Sequence, residues 1–181
     1  MDKQFNDLST EKFRQKMQPA ALAIYQRIFP GCTVEYLKGC SGKAHPLDKE
    51  FGIDCLIHIG DQWISVQEKY RENSAIHYLD FTQEFKNAEG TQYETKGEWF
   101  SLGAQVYFYG WANNTGTGFE KWALIDIAKY KMIVNEAGGL GKIGTKRTNN
   151  LHGKASFYAI KIEKLKSAFI TDYRKYLKQA A

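Results

Sequence analysis

Two runs rich in apolar and β-branched residues, 53–59 and 62–70, are separated only by Gly60 and Asp61. A Gly-Asp pair between two such runs suits a tight turn, so the segment predicts an antiparallel hairpin. If those two residues form the whole loop, each cross-strand pair sums to 121 in residue number. Asp54 is then expected to face Gln67, with Lys69 on the same side of the sheet.

This register predicts a polar face made of a carboxylate, an amide and an ammonium. Opposed side chains have Cβ atoms roughly 5 Å apart, so two of their oxygens can share one small cation. Three apolar side chains are expected to point toward a core on the other face: Leu56, Ile64 and Val66. A three-residue turn would instead place Glu68 opposite Asp54 and turn Lys69 to the opposite face.

The segment before the hairpin predicts a helix and then a strand. Apolar residues recur at helical spacing at Phe13, Met17, Ala20, Ala21, Ile24 and Ile28. Ser9 is expected to cap this helix and Pro30-Gly31 to end it. Pro19 either kinks the helix or begins a second one. A strand over residues 33–38 and a loop containing Gly, Ser and Pro follow.

Beyond the hairpin, the pattern predicts a mixed α/β fold with a hairpin-rich sheet. The expected strands cover residues 78–85, 105–111, 121–127 and 155–162. The second of these has an alternative interpretation, as the end of a helix that begins near Glu98. Ala128 to Ala137 is expected to be helical, and residues 140–154 are expected to form a glycine-rich basic loop. The tail from Glu163 is expected to be helical, with apolar positions Leu165, Phe169, Tyr173, Tyr176 and Leu177.

Composition predicts one soluble domain over residues 1–181. The chain is 43% hydrophobic and has no internal repeat or linker, while its net charge of +5 favours polyanionic partners. Cys32, Cys40 and Cys55 make an odd count without zinc-site spacing, which fits a reducing cytoplasm. The sequence contains no apolar leader and no apolar run long enough to span a membrane, so we expect a cytoplasmic protein.

The hairpin residues resemble a known family. Asp54 enters one strand, and after the turn a hydrophobic residue precedes Gln67-Glu68-Lys69. This arrangement, preceded by a helix, resembles the core motif of PD-(D/E)XK nucleases, including small nucleases of phages and mobile elements. The resemblance implies a restriction-endonuclease-like αβββαβ core, with a mixed sheet flanked by helices. It also implies Mg²⁺ or Mn²⁺ held by Asp54, Gln67 and Glu68, and hydrolysis of DNA, with RNA as the alternative substrate. Lys69 would orient the attacking water or stabilise the transition state.

One position departs from the family pattern. Gln67 stands where the family usually has Asp or Glu, and an amide oxygen can ligate Mg²⁺ but brings no charge. Four carboxylates are candidates to help: Glu11, Glu50, Glu68 and Glu84. In the family geometry Glu68 contributes its backbone carbonyl. The alternative hypothesis is a non-catalytic nucleic-acid-binding module with the same fold.

Several basic residues are predicted to contact phosphates. Arg71 ends the second hairpin strand, and every charge between Glu136 and Glu163 is positive. The residues proposed from that segment are Lys142, Lys146 and Arg147. A homodimer would suit double-strand cleavage by one site per chain, whereas nicking needs only a monomer.

Overall fold

The computed structural model describes residues 3–37, 45–149 and 154–175, with side chains from Thr10 onward. Four helices and ten strands are found in these ranges. The helices are α1 Lys3–Ile28, α2 Pro46–Phe51, α3 Ile127–Glu136 and α4 Leu140–Ile143. The strands are β1 Thr33–Tyr36, β2 Cys55–Ile59, β3 Gln62–Arg71, β4 Asp80–Asn87, β5 Thr95–Lys96, β6 Val106–Ala112, β7 Phe119–Asp126, β8 Gly144–Asn149, β9 Ala155–Lys161 and β10 Phe169–Asp172.

Two sheets organise the described chain. The larger is a mixed sheet in the order β1-β2-β3-β6-β7-β10, in which β3 and β6 are parallel and the other pairs antiparallel. The smaller is antiparallel in the order β5-β4-β9-β8. The fold is therefore mixed α/β, with a mixed sheet flanked by helices.

Each face of the larger sheet has its own apolar core. On one face α1 packs through Ala21 and Tyr25 against Val66 and Phe108. On the other face Tyr107 and Tyr109 pack against Phe81 of β4, which also contacts Tyr130 of α3. Since adjacent residues of β3 point to opposite faces, Glu68 and Lys69 enter two different environments.

The hairpin prediction is confirmed. β2 and β3 pair from Ile59 with Gln62 to Cys55 with Val66, so all five pairs sum to 121. The expected facing of Leu56 is wrong. In this register Leu56 pairs with Ser65, and it packs in the core opposite to that of Ile64 and Val66.

The first helix is longer than expected. It begins at Lys3, so Ser9 lies inside the helix rather than at its cap, and it continues through Pro19. Helix α2 was not predicted; His45 caps it through the Leu47 N–H, and Pro46 occupies its first turn. The strand expected over residues 105–111 is found as β6, Val106–Ala112, which resolves the ambiguity near Glu98, where the structure has a short 3₁₀ turn, Glu98–Phe100.

The crossover from β3 to β6 differs from the αβββαβ pattern. Residues 72–105 contain two 3₁₀ turns and strands β4 and β5, whereas the pattern has a helix at this place. The helix-and-three-strand opening is present, with α2 inserted between β1 and β2.

Two predictions for the C-terminal part are wrong. The expected basic loop over residues 140–154 contains α4 and the edge strand β8, which pairs with β9 along six residues. Over residues 162–172 the expected tail helix is instead a 3₁₀ turn, Ile162–Ala168, followed by β10 on the open edge of β7, and helical backbone begins only at residues 173–175. Both segments become strands because they pair with the backbone of an exposed sheet edge, which is a tertiary effect. Tyr176, Leu177 and Cys40 lie outside the described residues.

No helix in the described ranges is both long and apolar enough to cross a membrane. Cys32 and Cys55 are free and buried.

Candidate active site

Asp54 is a buried carboxylate immediately before β2. The regular register stops there, because the Asp54 N–H donates to the Val66 carbonyl at 2.8 Å, one residue short of Gln67. Its Oδ2 accepts the Glu68 N–H at 2.7 Å, and its Oδ1 forms an ion pair with Arg14 of α1. Burial raises the pKa of Asp54 to about 7, although Arg14 and the Glu68 N–H oppose this shift.

Glu68 is a second buried carboxylate, on the face covered by α1. Its Oε1 accepts hydrogen bonds from the Tyr25 hydroxyl at 2.8 Å and from the Cys55 thiol at 3.7 Å. Burial raises the pKa of Glu68, while the hydroxyls of Tyr70 and Tyr25 oppose the shift. The side chain of Glu68 therefore points away from Lys69, and only its backbone is shared with the opposite face.

Lys69 lies on the other face, between two carboxylates. Its Nζ is 3.1 Å from Oε1 of Glu84 in β4 and 3.4 Å from Oε2 of Glu98. Glu98 is held in turn by the Tyr107 hydroxyl at 2.6 Å. Burial lowers the pKa of Lys69, but the two carboxylates more than offset this effect and raise the pKa above its usual range. The ammonium is therefore charged at neutral pH, and it lowers the pKa of Glu84.

Gln67 has a side-chain oxygen that accepts no hydrogen bond in the described part of the chain. Its Nε2 lies 3.5 Å from the Glu68 carbonyl, whereas its Oε1 is buried and accepts no hydrogen bond from the described residues. That oxygen lies close to the backbone of Gly52, where an added Cβ would come within 2.8 Å of it. A buried carbonyl oxygen normally has a hydrogen-bond or cation partner.

Gln67 and Lys69 line one polar cavity of about 420 Å³. Its walls come from α2, β3, β4, β5 and the 3₁₀ turn Glu98–Phe100. The lining residues are Asp48, Lys49, Gly52, Gln67, Glu68, Lys69, Glu84, Asn87, Lys96, Gly97, Glu98 and Ser101. Asp54 is not among them and is linked to this wall through the Glu68 N–H. The expected meeting of Asp54, Gln67 and Lys69 on one face is thus found only for Gln67 and Lys69, because the register breaks at Asp54.

No known protein family, curated protein or solved structure matches the chain. The site is therefore interpreted from its own geometry.

The remaining predicted residues lie outside this cavity. Arg71 lines a separate cavity of about 410 Å³ beside Thr10 and Phe13 of α1. Lys142 belongs to α4. On β8, Lys146 pairs with Glu89, and Arg147 lies 3.9 Å from Asp80. The three residues of the 140–154 segment that were predicted to contact phosphates therefore belong to α4 and an edge strand, and the two on β8 have carboxylate partners.

Two residues of the site were not found from the sequence. Arg14 lies three residues after Glu11 in α1, so helical periodicity places both side chains on one face. The Arg14 Nε is 3.5 Å from the Glu11 Oε2. No local sequence pattern identifies Glu98 as a site residue, because the fold of the β3–β6 crossover brings it next to Lys69. In the described ranges, no cluster of three or more His, Cys, Asp or Glu side chains is arranged to hold a metal.

Proposed function

We propose that the protein is a metal-dependent nuclease that hydrolyses DNA phosphodiester bonds, with Mg²⁺ or Mn²⁺ as the cofactor. The observation that carries the proposal is the oxygen of Gln67. It is buried and accepts no hydrogen bond from residues 10–37, 45–149 or 154–175, and it lies in a polar cavity that Lys69 also lines. An oxygen acceptor beside a fixed positive charge suits a site for a hard cation and a phosphate.

The candidate metal ligands are the Gln67 Oε1 and the Glu68 backbone carbonyl at the cavity wall, together with the Asp54 carboxylate, which adjoins this wall at the Glu68 N–H. These oxygen donors fit Mg²⁺ in type. The carboxylate is held by Arg14, so metal binding requires Asp54 to exchange that ion pair for the cation. A bound Mg²⁺ would neutralise phosphate charge and lower the pKa of a water ligand.

Lys69 would act as a fixed positive charge on the phosphate or on the attacking water. Its raised pKa argues against a role as general base, since it must lose a proton for that role. Glu84 and Glu98 hold the ammonium from both sides and would position it. The restriction-endonuclease-like class remains part of this proposal and rests on the Asp54, Gln67 and Lys69 spacing.

A cleavage assay tests the proposal. Purified protein is incubated with duplex, single-stranded and branched DNA, in Mg²⁺ or Mn²⁺, beside the Asp54→Asn variant and an RNA control. We expect cleavage of at least one DNA that needs the metal and is lost in Asp54→Asn. Inactivity of the folded wild-type chain on every DNA would refute the proposal.

A second function is favoured by the Arg14–Asp54 ion pair, which gives the carboxylate a cationic partner without any metal. In that case the protein is a non-catalytic nucleic-acid-binding module, and Arg14 replaces the metal permanently. Calorimetry with Arg14→Gln separates the two functions. A nuclease should bind Mg²⁺ in both proteins, because the cation can take the place of Arg14 beside the Asp54 carboxylate. A binding module should show no metal binding in either protein.

A further inference from the structure

Two exposed aromatic residues, Phe51 and Phe100, directly precede residues that line the polar cavity. The side chains of Phe51 and Phe100 are 47% and 48% exposed, although phenylalanine is usually buried in folded proteins. Phe51 ends α2 between the lining residues Lys49 and Gly52, and Phe100 ends the 3₁₀ turn next to the lining residue Ser101.

Phe100 belongs to a continuous strip of rings and lysines. The Nζ of Lys96, a cavity residue, lies 5.5 Å from the Phe100 ring centroid. The Phe100 ring lies 5.2 Å from that of Phe85, and Lys146 of β8 lies 5.8 Å from the Phe85 ring. The strip therefore runs from the edge strand β8 to the cavity that contains Lys69.

Charge alone does not explain this surface. Lys146 pairs with Glu89, Lys86 with Glu94, and Lys69 with Glu84 and Glu98. Duplex DNA is held mainly by uncompensated Lys and Arg on its phosphates, whereas each of these three lysines has a carboxylate partner. An exposed ring instead suits unpaired bases, which stack on aromatic faces, while Lys96 beside Phe100 can contact the backbone.

We propose that Phe100, with Lys96, forms a platform on which unpaired bases stack, so that the cavity receives single-stranded or locally unpaired DNA. The inference rests on the proposed function, because it names the substrate class of the same site. A duplex offers only base edges and sugar-phosphate on its outside, and cannot present a ring face unless a base is splayed out.

Fluorescence anisotropy in EDTA tests the platform without hydrolysis. The probes are a labelled oligothymidylate and a labelled DNA hairpin, each titrated at two salt concentrations. We expect the wild-type chain to bind the oligothymidylate more tightly than the hairpin, with a shallow salt dependence. Phe100→Leu keeps an apolar contact with Phe85 but removes the ring face, so it should weaken oligothymidylate binding about tenfold. Phe100→Trp should retain binding.

Met132→Ala is the matched control, since Met132 is another exposed apolar side chain, on α3. It should leave both affinities unchanged. Equal affinity of wild type and Phe100→Leu for the oligothymidylate would overturn the platform, as would tighter binding of the hairpin. Cleavage of duplex DNA indifferent to Phe100 would refute only the platform. Single-stranded binding by a chain that cleaves nothing would refute only the nuclease.

Discussion

At the scale of single residues, Asp54 and Glu68 put two carboxylates into the interior beside one arginine. The Asp54 carboxylate accepts hydrogen bonds from the Glu68 N–H and from Arg14. The Glu68 carboxylate accepts them from the Tyr25 hydroxyl and the Cys55 thiol. Burial favours the neutral acid in both cases, and raises both pKa values. The pH dependence of the free energy of unfolding should therefore depend on Asp54 and Glu68.

Asp54 should make folding of the metal-free chain less favourable as pH rises. Its pKa is about 7 in the folded chain and near 3.8 in an unfolded one, so the folded chain binds the extra proton between these values. The contribution of Asp54 to stability is complete below pH 4 and is lost as pH rises toward 7. Asp54→Asn should thus gain stability relative to wild type across this range, by at most about 4 kcal/mol.

Urea unfolding in EDTA at several pH values measures this difference. A stability difference that stays constant or shrinks between pH 4 and pH 7 would show that Asp54 is ionised throughout.

Gln67→Glu should strengthen metal binding. Its Oε1 already lies at the cavity wall, and a carboxylate there adds a negative charge to the proposed ligands. Glu68→Gln should matter less, because the Glu68 side chain faces α1. Calorimetric titration with Mn²⁺ compares the two variants, and a larger effect from Glu68→Gln would contradict the ligand assignment.

Sequence reasoning identified the hairpin residues but could not foresee how Asp54 is held. The turn chemistry of Gly60-Asp61 set the register through local rules, which is why the pairs agree. The register break at Asp54 depends on contacts with Val66 and with Arg14, which is 40 residues away along the chain. A local pattern contains no information on such a contact.

At the scale of elements, α2 matters because its end positions Gln67. Gly52 ends this helix in a left-handed conformation with φ of 57°, and its N–H donates to the Asp48 carbonyl. A side chain at this position would collide with Gln67 Oε1, so a helix missed by sequence patterning helps to set the cavity wall.

Gly52→Ala should be more damaging than Gly60→Ala. Both glycines have φ near 58°, so each variant loses roughly 1 kcal/mol from the left-handed conformation. Only at Gly52 does the new Cβ lie within 2.8 Å of a side-chain oxygen, whereas Gly60 has nothing within 4 Å. Thermal unfolding should show the larger loss in Gly52→Ala, and equal losses would mean that Gln67 moves freely.

In β4, Gln83→Met should stabilise the fold. Gln83 is fully buried, and its amide nitrogen and oxygen have no hydrogen-bond partner among the described residues. Removing an unsatisfied polar group recovers about 1–3 kcal/mol. The adjacent Thr82→Val is the matched control and should destabilise by about 1 kcal/mol, because the Thr82 hydroxyl is bonded to Tyr109. A loss of stability in Gln83→Met on urea unfolding would contradict this prediction.

Two of the elements that sequence reasoning misjudged, β8 and β10, are set by sheet edges. Gly144–Asn149 has no apolar side chain, and its interpretation as a loop followed from the glycines and charges of residues 140–154. Its conformation comes from pairing with β9, and β10 is likewise set by pairing with β7. Long-range pairing overrides weak local preference in both segments.

At the scale of the whole molecule, the cavity exists only because the two sheets meet. Lys69 comes from the larger sheet, Glu84 from the smaller sheet, and Glu98 from the crossover between them. Phe81 packs on Tyr107 and Tyr109 at the same junction, so the apolar core fixes the position of the charged cluster. A variant that loosens this junction should lose the cavity before it loses either sheet.

The most direct test of the account is single-turnover DNA cleavage by Lys69→Ala, with Mn²⁺ binding measured by calorimetry on the same samples. The control is Lys86→Ala, a lysine of β4 that pairs with Glu94. An ammonium does not ligate a cation, so Lys69→Ala should keep metal affinity within about twofold while cleavage falls by about 10²-fold or more. Lys86→Ala should retain both. Full cleavage by folded Lys69→Ala would contradict the assignment of this cavity as the active site.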